Sequence, residues 1–415
     1  MEKITLKELA VPLIKAIDSF NYLLKSHHRR TAVISYFIAK EMKLSEEEMT
    51  NLVISAALHD IGALSVQERD TLIKEDVDNP KPHCLMGYKM LSSFKLFEKI
   101  SQIIKHHHIK YEELDNYDDE ILIQSHIIHF ADRIDIMISP DFFILDQKES
   151  ITKKMTDKTG TIFNPIVLEA FLKASKPDIF WININNMTLE QLFNKISFNM
   201  NYQMTLENVV VFAQTISRIV DYRSQYTSTH SYTVAHLAYH IAKILELPQE
   251  ECVKLLVAGY FHDIGKIGID PGIIEKKGPL TSSEFNIMKL HSYYSKQILL
   301  ELSSSHWFED IIKWTSQHHE KIDGSGYPYA IEKEDFDLGT KILAYSDILS
   351  ALMEERPYRR KLNIDEAFNI IDKELAHKID ELIYDLLISK KDEIEQVYQQ
   401  CRKDAEHFYE AQANI

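Results

Sequence analysis

Residues 261–270 read FHDIGKIGID, and residues 58–66 read LHDIGALSV. In each an apolar run ends in the same tetrapeptide, His59-Asp60-Ile61-Gly62 in the first and His262-Asp263-Ile264-Gly265 in the second. The next residue differs, Ala63 against Lys266. Sliding the chain on itself by 203 positions superposes the tetrapeptides. With no gap it also aligns Ile38-Ala39-Lys40 with Ile241-Ala242-Lys243, Leu44 with Leu247, and the isolated His27 with His230. A gapless match over about forty residues marks an internal repeat rather than coincidence. Two copies of one domain are expected, over residues 1–200 and 201–415.

The stretch TVAHLAYHIAKILEL (233–247) spaces its apolar residues three and four apart, and the chain has only 11 Gly and 11 Pro. Both features favour amphipathic helices, so the fold class expected is all-α, two tandem helical domains. GTIFNPIVLEAFLKAS (160–175) reads as a turn and the closing helix of the first copy. In MTLEQLF (187–193), Thr188 and Gln191 form a capping box that starts another helix. No low-complexity linker intervenes near residue 200, so the copies are expected to be joined by helix and packed together.

With 415 residues, 45% hydrophobic and 27% charged, the chain has the composition of globular domains with ordinary cores. A formal charge of −16 argues against a DNA or RNA duplex or an anionic membrane as partner, because no basic field offsets phosphate repulsion. Cys84, Cys252 and Cys401 are far apart and form no CxxC pair, which points away from a disulfide framework or a thiolate zinc site. The first thirty residues lack a signal-peptide pattern, and no apolar run approaches the ~20 residues of a membrane span. The expected location is cytoplasmic.

Beyond the tetrapeptide the copies drift in spacing but keep one order of chemistry. His83 in KPHCLMGYKML matches His291 in MKLHSYYSKQIL; KHHHIK (105–110) matches QHHEKI (317–322); Asp132 in HFADRIDI matches Asp347 in AYSDILSAL. In the second copy this assembles His230, His262, Asp263, His291, His318, His319 and Asp347. Neutral imidazoles and carboxylates in one cavity are metal ligands, and a carboxylate can bridge two cations. On a helix, Asp263 and Lys266 at three residues and His262 and Lys266 at four would project into the same cleft.

At these residues the chain resembles the HD-GYP branch of the HD phosphohydrolase superfamily. The resemblance rests on His262-Asp263 with Lys266, on HHEKIDGSGYP (318–328) and on RPYRR (356–360). It covers residues 205–375 strongly and 20–175 as a degenerate relative. It implies a helical, metal-dependent hydrolase of bacterial second-messenger signalling. Such a phosphodiesterase opens a cyclic dinucleotide, cyclic di-GMP first, to the linear dinucleotide and onward to mononucleotide. Two divalent transition-metal ions, iron or manganese, would be held by the seven residues above, with Asp263 bridging them. By the same resemblance Lys266 is the catalytic lysine that contacts the substrate phosphate, and Asp263 is catalytic as the bridging ligand. Arg356 and Arg359 hold phosphate, and Gly324, Gly326, Tyr327 and Pro328 shape the cleft lip and contact substrate or a signalling-protein partner. A homodimer is compatible with the family. Some members carry a glutamate four residues before the first histidine as ligand to a third ion; Tyr226 stands there, which favours two ions.

The first copy keeps a second candidate metal set, His27, His59, Asp60, His83, His106, His107 and Asp132, with His28 and His108 as alternative registers. It lacks the lysine, the Gly-Tyr-Pro loop and any counterpart of RPYRR, so the expected role is regulatory or structural. Alternative readings are a phosphodiesterase preferring 3'3'-cyclic GMP-AMP, a non-catalytic cyclic dinucleotide-binding scaffold, and a related hydrolase of nucleotide monoesters or linear dinucleotides.

Overall fold

The computed structural model describes residues 3–18, 26–63, 81–113, 119–196, 201–203, 205–221, 229–303, 305–332, 335–355 and 360–413. By internal contacts the chain divides into two units, Thr5–Tyr202 and Gln203–Ile415, the second also taking in Met1–Ile4. Both are helical, as the apolar spacing predicts. Among the described residues the sole sheet pairs two three-residue strands, β1 (Lys3–Thr5) and β2 (Asn201–Gln203). The described residues at the join therefore form a strand where a helix was expected; Asn is a weak helix former, and Tyr is favoured in strands.

Five helices of the N-terminal unit carry its candidate site: α1 (His27–Met42), α2 (Glu46–Leu58), α3 (Lys81–Ser92), α4 (Glu98–His106) and α5 (Glu120–Met137). Five in the C-terminal unit repeat them: α6 (His230–Ile244), α7 (Gln249–Phe261), α8 (Leu290–Leu299), α9 (Glu309–Gln317) and α10 (Leu338–Met353). In the first unit α1 packs on α2 and α5, while α4 packs on α2, α3 and α5. The same pairings recur in the second, α6 on α7 and α10, and α9 on α7, α8 and α10. The repeat seen in the sequence is thus a repeat of packing.

The central helix of each unit explains where the His-Asp pair ends up. Every residue of α2 from Met49 to Leu58 is buried, and so is every residue of α7 from Leu255 to Phe261. A helix that is apolar on all sides belongs in an interior. The His-Asp that follows it is thereby delivered to the middle of the domain. A capping box between Ser45 and Glu48 starts α2. The capping box expected at Thr188 and Gln191 is present; the helix expected to close the first copy runs Pro165–Ala174 after an Asn164 cap, but Asp178–Asn186 and Leu189–Phe193 follow it in the same unit. No described helix is long and apolar enough to cross a membrane.

Candidate metal centre

In the C-terminal unit α7 stops at Phe261, His262 caps it, and Ile264–Gly268 forms a 3₁₀ turn packed on α8. The four-residue spacing from His262 predicts an α-helix through Lys266; the chain tightens into 3₁₀ instead. Side chains three residues apart eclipse in that geometry, and the Lys266 ammonium accordingly donates to Asp263 Oδ2 at 2.5 Å. Gly265 makes the tight approach possible. A Cβ there would lie 1.9 Å from the His291 carbonyl oxygen and 2.5 Å from Ser295 N. A Cβ at Gly62 would lie 2.1 Å from the His83 carbonyl oxygen. The glycine of the shared tetrapeptide brings the His-Asp turn against the helix bearing the next histidine, in both units.

Three imidazoles are oriented by the same device. His262, His291 and His318 each turn Nδ1 to the carbonyl three residues back, at Gly259 (2.7 Å), Met288 (2.7 Å) and Thr315 (2.8 Å). A proton held on Nδ1 leaves the Nε2 lone pair for a cation. The Nε2 atoms of His230, His262 and His318 are buried without a well-directed hydrogen bond. Two of these face carboxylates, His230 Nε2 at 3.2 Å from Asp347 Oδ1 and His262 Nε2 at 3.1 Å from Asp263 Oδ2, and His291 Nε2 lies 3.6 Å from Asp263 Oδ1. The ligand atoms fall into two groups, His230-His262-Asp347 and His291-His318-His319, with those of each group within 4.8 Å of one another. Asp263 offers one oxygen to each side. Orphaned imidazole nitrogens around ionised carboxylates fit divalent cations, and these groups can hold a metal ion.

For His291 and His318 the electrostatics agree. Burial pushes the His291 pKa down to about 4 and that of His318 to about 3, keeping both rings neutral as ligands. Burial also disfavours the charged form of Asp263, but His262 and Lys266 outweigh it and hold the carboxyl well below the usual range. For His230 burial opposes the charge, and Glu354 with Asp347 overcomes it, raising the pKa to about 10. Glu354 is a site residue that sequence reasoning missed. It is buried, accepts from His230 Nδ1 at 3.0 Å, and is itself bonded by Ser350 Oγ at 2.8 Å. It lies seven residues after Asp347, just past the C-terminal end of α10.

The Gly-Tyr-Pro loop packs against the histidine cluster. Glu320, buried beside His319, accepts from the backbone N–H groups of Tyr329 (2.6 Å) and Ile331 (3.3 Å), which folds the loop back on the cluster. A Cβ on Gly326 would lie 2.4 Å from Glu320 Cα, and Gly324 has φ of 69°. Tyr327 lays its ring on His319 with centroids 4.8 Å apart, and Pro328 follows through a cis peptide. Lys289 stands over Phe285 (5.0 Å) and Tyr327 (6.0 Å), a cation-and-aromatic wall that was not anticipated. Arg356, Arg359 and Tyr226 lie outside the described residues.

The N-terminal unit gathers a similar cluster. His27 Nε2 is 3.4 Å from Asp132 Oδ1, His59 Nε2 is 3.3 Å from Asp60 Oδ2, and His83 Nε2 is 3.5 Å from Asp60 Oδ1. Asp135 takes the place of Glu354, bonding His27 Nδ1 at 2.7 Å. The histidine register needs correction. His107, not His106, turns Nδ1 to the carbonyl three residues back, Ile104 at 2.6 Å, as His318 does to Thr315. His83 packs on His107 and His108 at 5.1 Å each, matching His291 on His318 and His319 at 5.5 and 5.0 Å. His106, the last residue of α4, is half-buried and makes none of the described ring or ion-pair contacts of the cluster. His28 joins instead, 4.0 Å from Asp60 Oδ2.

Comparison with known proteins follows the same division. Residues 214–383 match one family model and residues 24–137 another, each described as an HD domain. The chain is 26% identical over 399 residues to 3'3'-cGAMP-specific phosphodiesterase 1 of Vibrio cholerae, covering 93% of this chain and 91% of that protein. It is 38% identical over 163 residues to 3'3'-cGAMP-specific phosphodiesterase 3 of the same organism, covering 39% of this chain and 35% of the relative. Against the cyclic di-GMP phosphodiesterase response regulator RpfG of Xanthomonas campestris it is 31% identical over 182 residues, spanning 44% of this chain and 48% of that one. A crystal structure of a cyclic GMP-AMP specific phosphodiesterase of V. cholerae shares the fold, with a TM-score of 0.63 at 22% identity over 93% of this chain and 97% of that one. The chain belongs to the HD-domain proteins, with two HD domains in tandem and the HD-GYP motif in the second.

Proposed function

We propose that the chain is a metal-dependent phosphodiesterase whose C-terminal unit opens a cyclic dinucleotide to the linear dinucleotide. The observation that carries this reading is Lys266 Nζ on Asp263 Oδ2, inside a cluster whose imidazole Nε2 atoms are buried without well-directed partners. A binding scaffold needs phosphate-holding cations but no ligand set of this kind. His230, His262 and Asp347 would hold one ion and His291, His318 and His319 a second, with Asp263 shared between them. Two divalent ions, iron or manganese, supply a water of lowered pKa and neutralise phosphate charge when bound. The protein's own groups do the rest. Lys266, already drawn to the centre by Asp263, sets a cation against a non-bridging phosphate oxygen and carries a proton for the leaving oxygen. Glu354 and Ser350 fix the His230 ring. Tyr327, on His319, forms the lip against which a base can lie, and Arg356 and Arg359 are the proposed phosphate contacts outside the cluster.

Cyclic di-GMP is the proposed substrate. A second reading, 3'3'-cyclic GMP-AMP, is favoured by the relative of that specificity that matches along 93% of the chain. The compartment proposed is the cytoplasm, which suits three buried free cysteines. A signalling-protein partner is proposed to dock at the Gly-Tyr-Pro loop. Incubating metal-loaded protein with both cyclic dinucleotides and resolving the products by chromatography tests the proposal. Linear dinucleotide is expected. Stoichiometric binding with intact cyclic ligand recovered would replace the enzyme by a scaffold.

A further inference from the structure

We infer that the N-terminal unit holds a single thiophilic metal ion, zinc by preference, on Cys84, His83, His107 and Asp60, a site that differs in kind from the centre of the C-terminal unit. The inference does not depend on the hydrolytic reading, because these four residues lie in the other unit.

A tetrahedral ion with metal–nitrogen bonds of ~2.0–2.1 Å and a metal–sulfur bond of ~2.3 Å separates two nitrogen ligands by ~3.3 Å and a nitrogen and a sulfur by ~3.6 Å. His83 Nε2 and His107 Nε2 are 3.2 Å apart, and Cys84 Sγ is 3.6 Å from His83 Nε2. Asp60 Oδ1, at 3.5 Å from His83 Nε2 and 3.9 Å from His107 Nε2, closes the fourth corner. All four residues are at least nine-tenths buried. Three of the edges, those meeting at His83 Nε2, are already near their length before an ion is added, and the ligand atoms of His83, Cys84 and His107 all lie within 4.8 Å of one another. His107 is fixed with Nε2 inward by its Nδ1 bond to Ile104.

The contrast between units sharpens the chemistry. The residue after the third histidine is Cys84 here and Ser292 in the C-terminal unit, where Ser292 Oγ lies 3.3 Å from His291 Nε2. A hydroxyl is a poor ligand for a soft ion and a thiolate a strong one, so the exchange moves preference from oxygen-loving ions toward zinc. The same unit also disfavours a second ion. Arg133 donates to Asp132 Oδ2 through Nη2 (2.6 Å) and Nε (3.1 Å), both groups buried. Asp132 corresponds to Asp347, whose neighbour is Ile348. A fixed guanidinium supplies the positive charge that a second cation would bring, and repels that cation.

Cobalt(II) substitution reads the site without any substrate. The full chain carrying Asp263→Asn, stripped of metal and titrated with cobalt(II), is expected to develop a thiolate-to-cobalt charge-transfer band in the near ultraviolet, saturating at one ion. Cys252 and Cys401 do not compete, since they lie on α7 and on the C-terminal helix Lys391–Ala413. Cys84→Ser on that background should abolish the band and weaken zinc binding at least tenfold in chelator competition. Should Cys84→Ser fail to fold, His107→Ala, judged by circular dichroism first, serves the same purpose. Arg133→Leu should raise the stoichiometry of this unit above one. A cobalt complex without the charge-transfer band, or a band that survives Cys84→Ser, overturns the assignment. So does a chain that binds no cobalt in this unit.

Discussion

Lys266 and Ala63 are the residues at which two nearly identical turns part. Lys266 reaches Asp263 across one 3₁₀ turn, and Ala63 has no side-chain cation to offer at the corresponding position of the first unit. Replacing Lys266 by Ala is expected to leave metal content unchanged while lowering turnover by ~10²–10³, the usual cost of losing one transition-state contact. Metal analysis beside steady-state kinetics separates the two effects, and a variant as active as its parent would remove Lys266 from the mechanism. Glu354 acts through His230. Glu354→Gln should weaken metal affinity by ~10–100-fold, as removal of an outer-shell partner does, measured by chelator competition. Unchanged affinity would make its buried bond to His230 a packing feature. Neither Glu354 nor Asp135 stands out in the sequence, because the carboxylate behind the first histidine arrives seven residues after Asp347 in one unit and three after Asp132 in the other.

At the scale of elements, the tetrapeptide is legible because each letter answers a constraint. An all-buried helix must end at the centre, His and Asp must meet the cations there, and the glycine must pass the carbonyl of the next histidine. Gly265→Ala is therefore expected to destabilise the C-terminal unit by at least ~1–3 kcal/mol, since its Cβ would meet backbone rather than a side chain that could swing away. Thermal unfolding with and without metal measures it; an unaltered transition would show that the turn can shift. The histidine pair of the first unit was less legible. His106, His107 and His108 offer two registers of equal chemistry. The choice falls to which ring can reach the carbonyl three residues back at the end of α4, a matter of helix phase. The 3₁₀ turn after Asp263 escaped for a related reason: periodicity read over five residues does not distinguish 3₁₀ from α.

For the whole molecule, the repeat with its two clusters was legible from the aligned histidines, while the difference between the clusters was only half legible. Loss of the lysine and of the Gly-Tyr-Pro loop could be read directly. Cys84 adjoins His83 and Arg133 adjoins Asp132 in the chain, but the thiol takes its meaning only from His107 and Asp60, which folding brings to His83. Phosphodiester chemistry is proposed for one unit and a different metal role for the other. The most direct test compares two full-length, metal-loaded single variants, Asp263→Asn and Asp60→Asn, for release of linear dinucleotide from cyclic di-GMP and from 3'3'-cyclic GMP-AMP. Product formation should vanish with Asp263→Asn and persist with Asp60→Asn. Turnover that survives Asp263→Asn and disappears with Asp60→Asn would contradict the account and place the chemistry in the first unit.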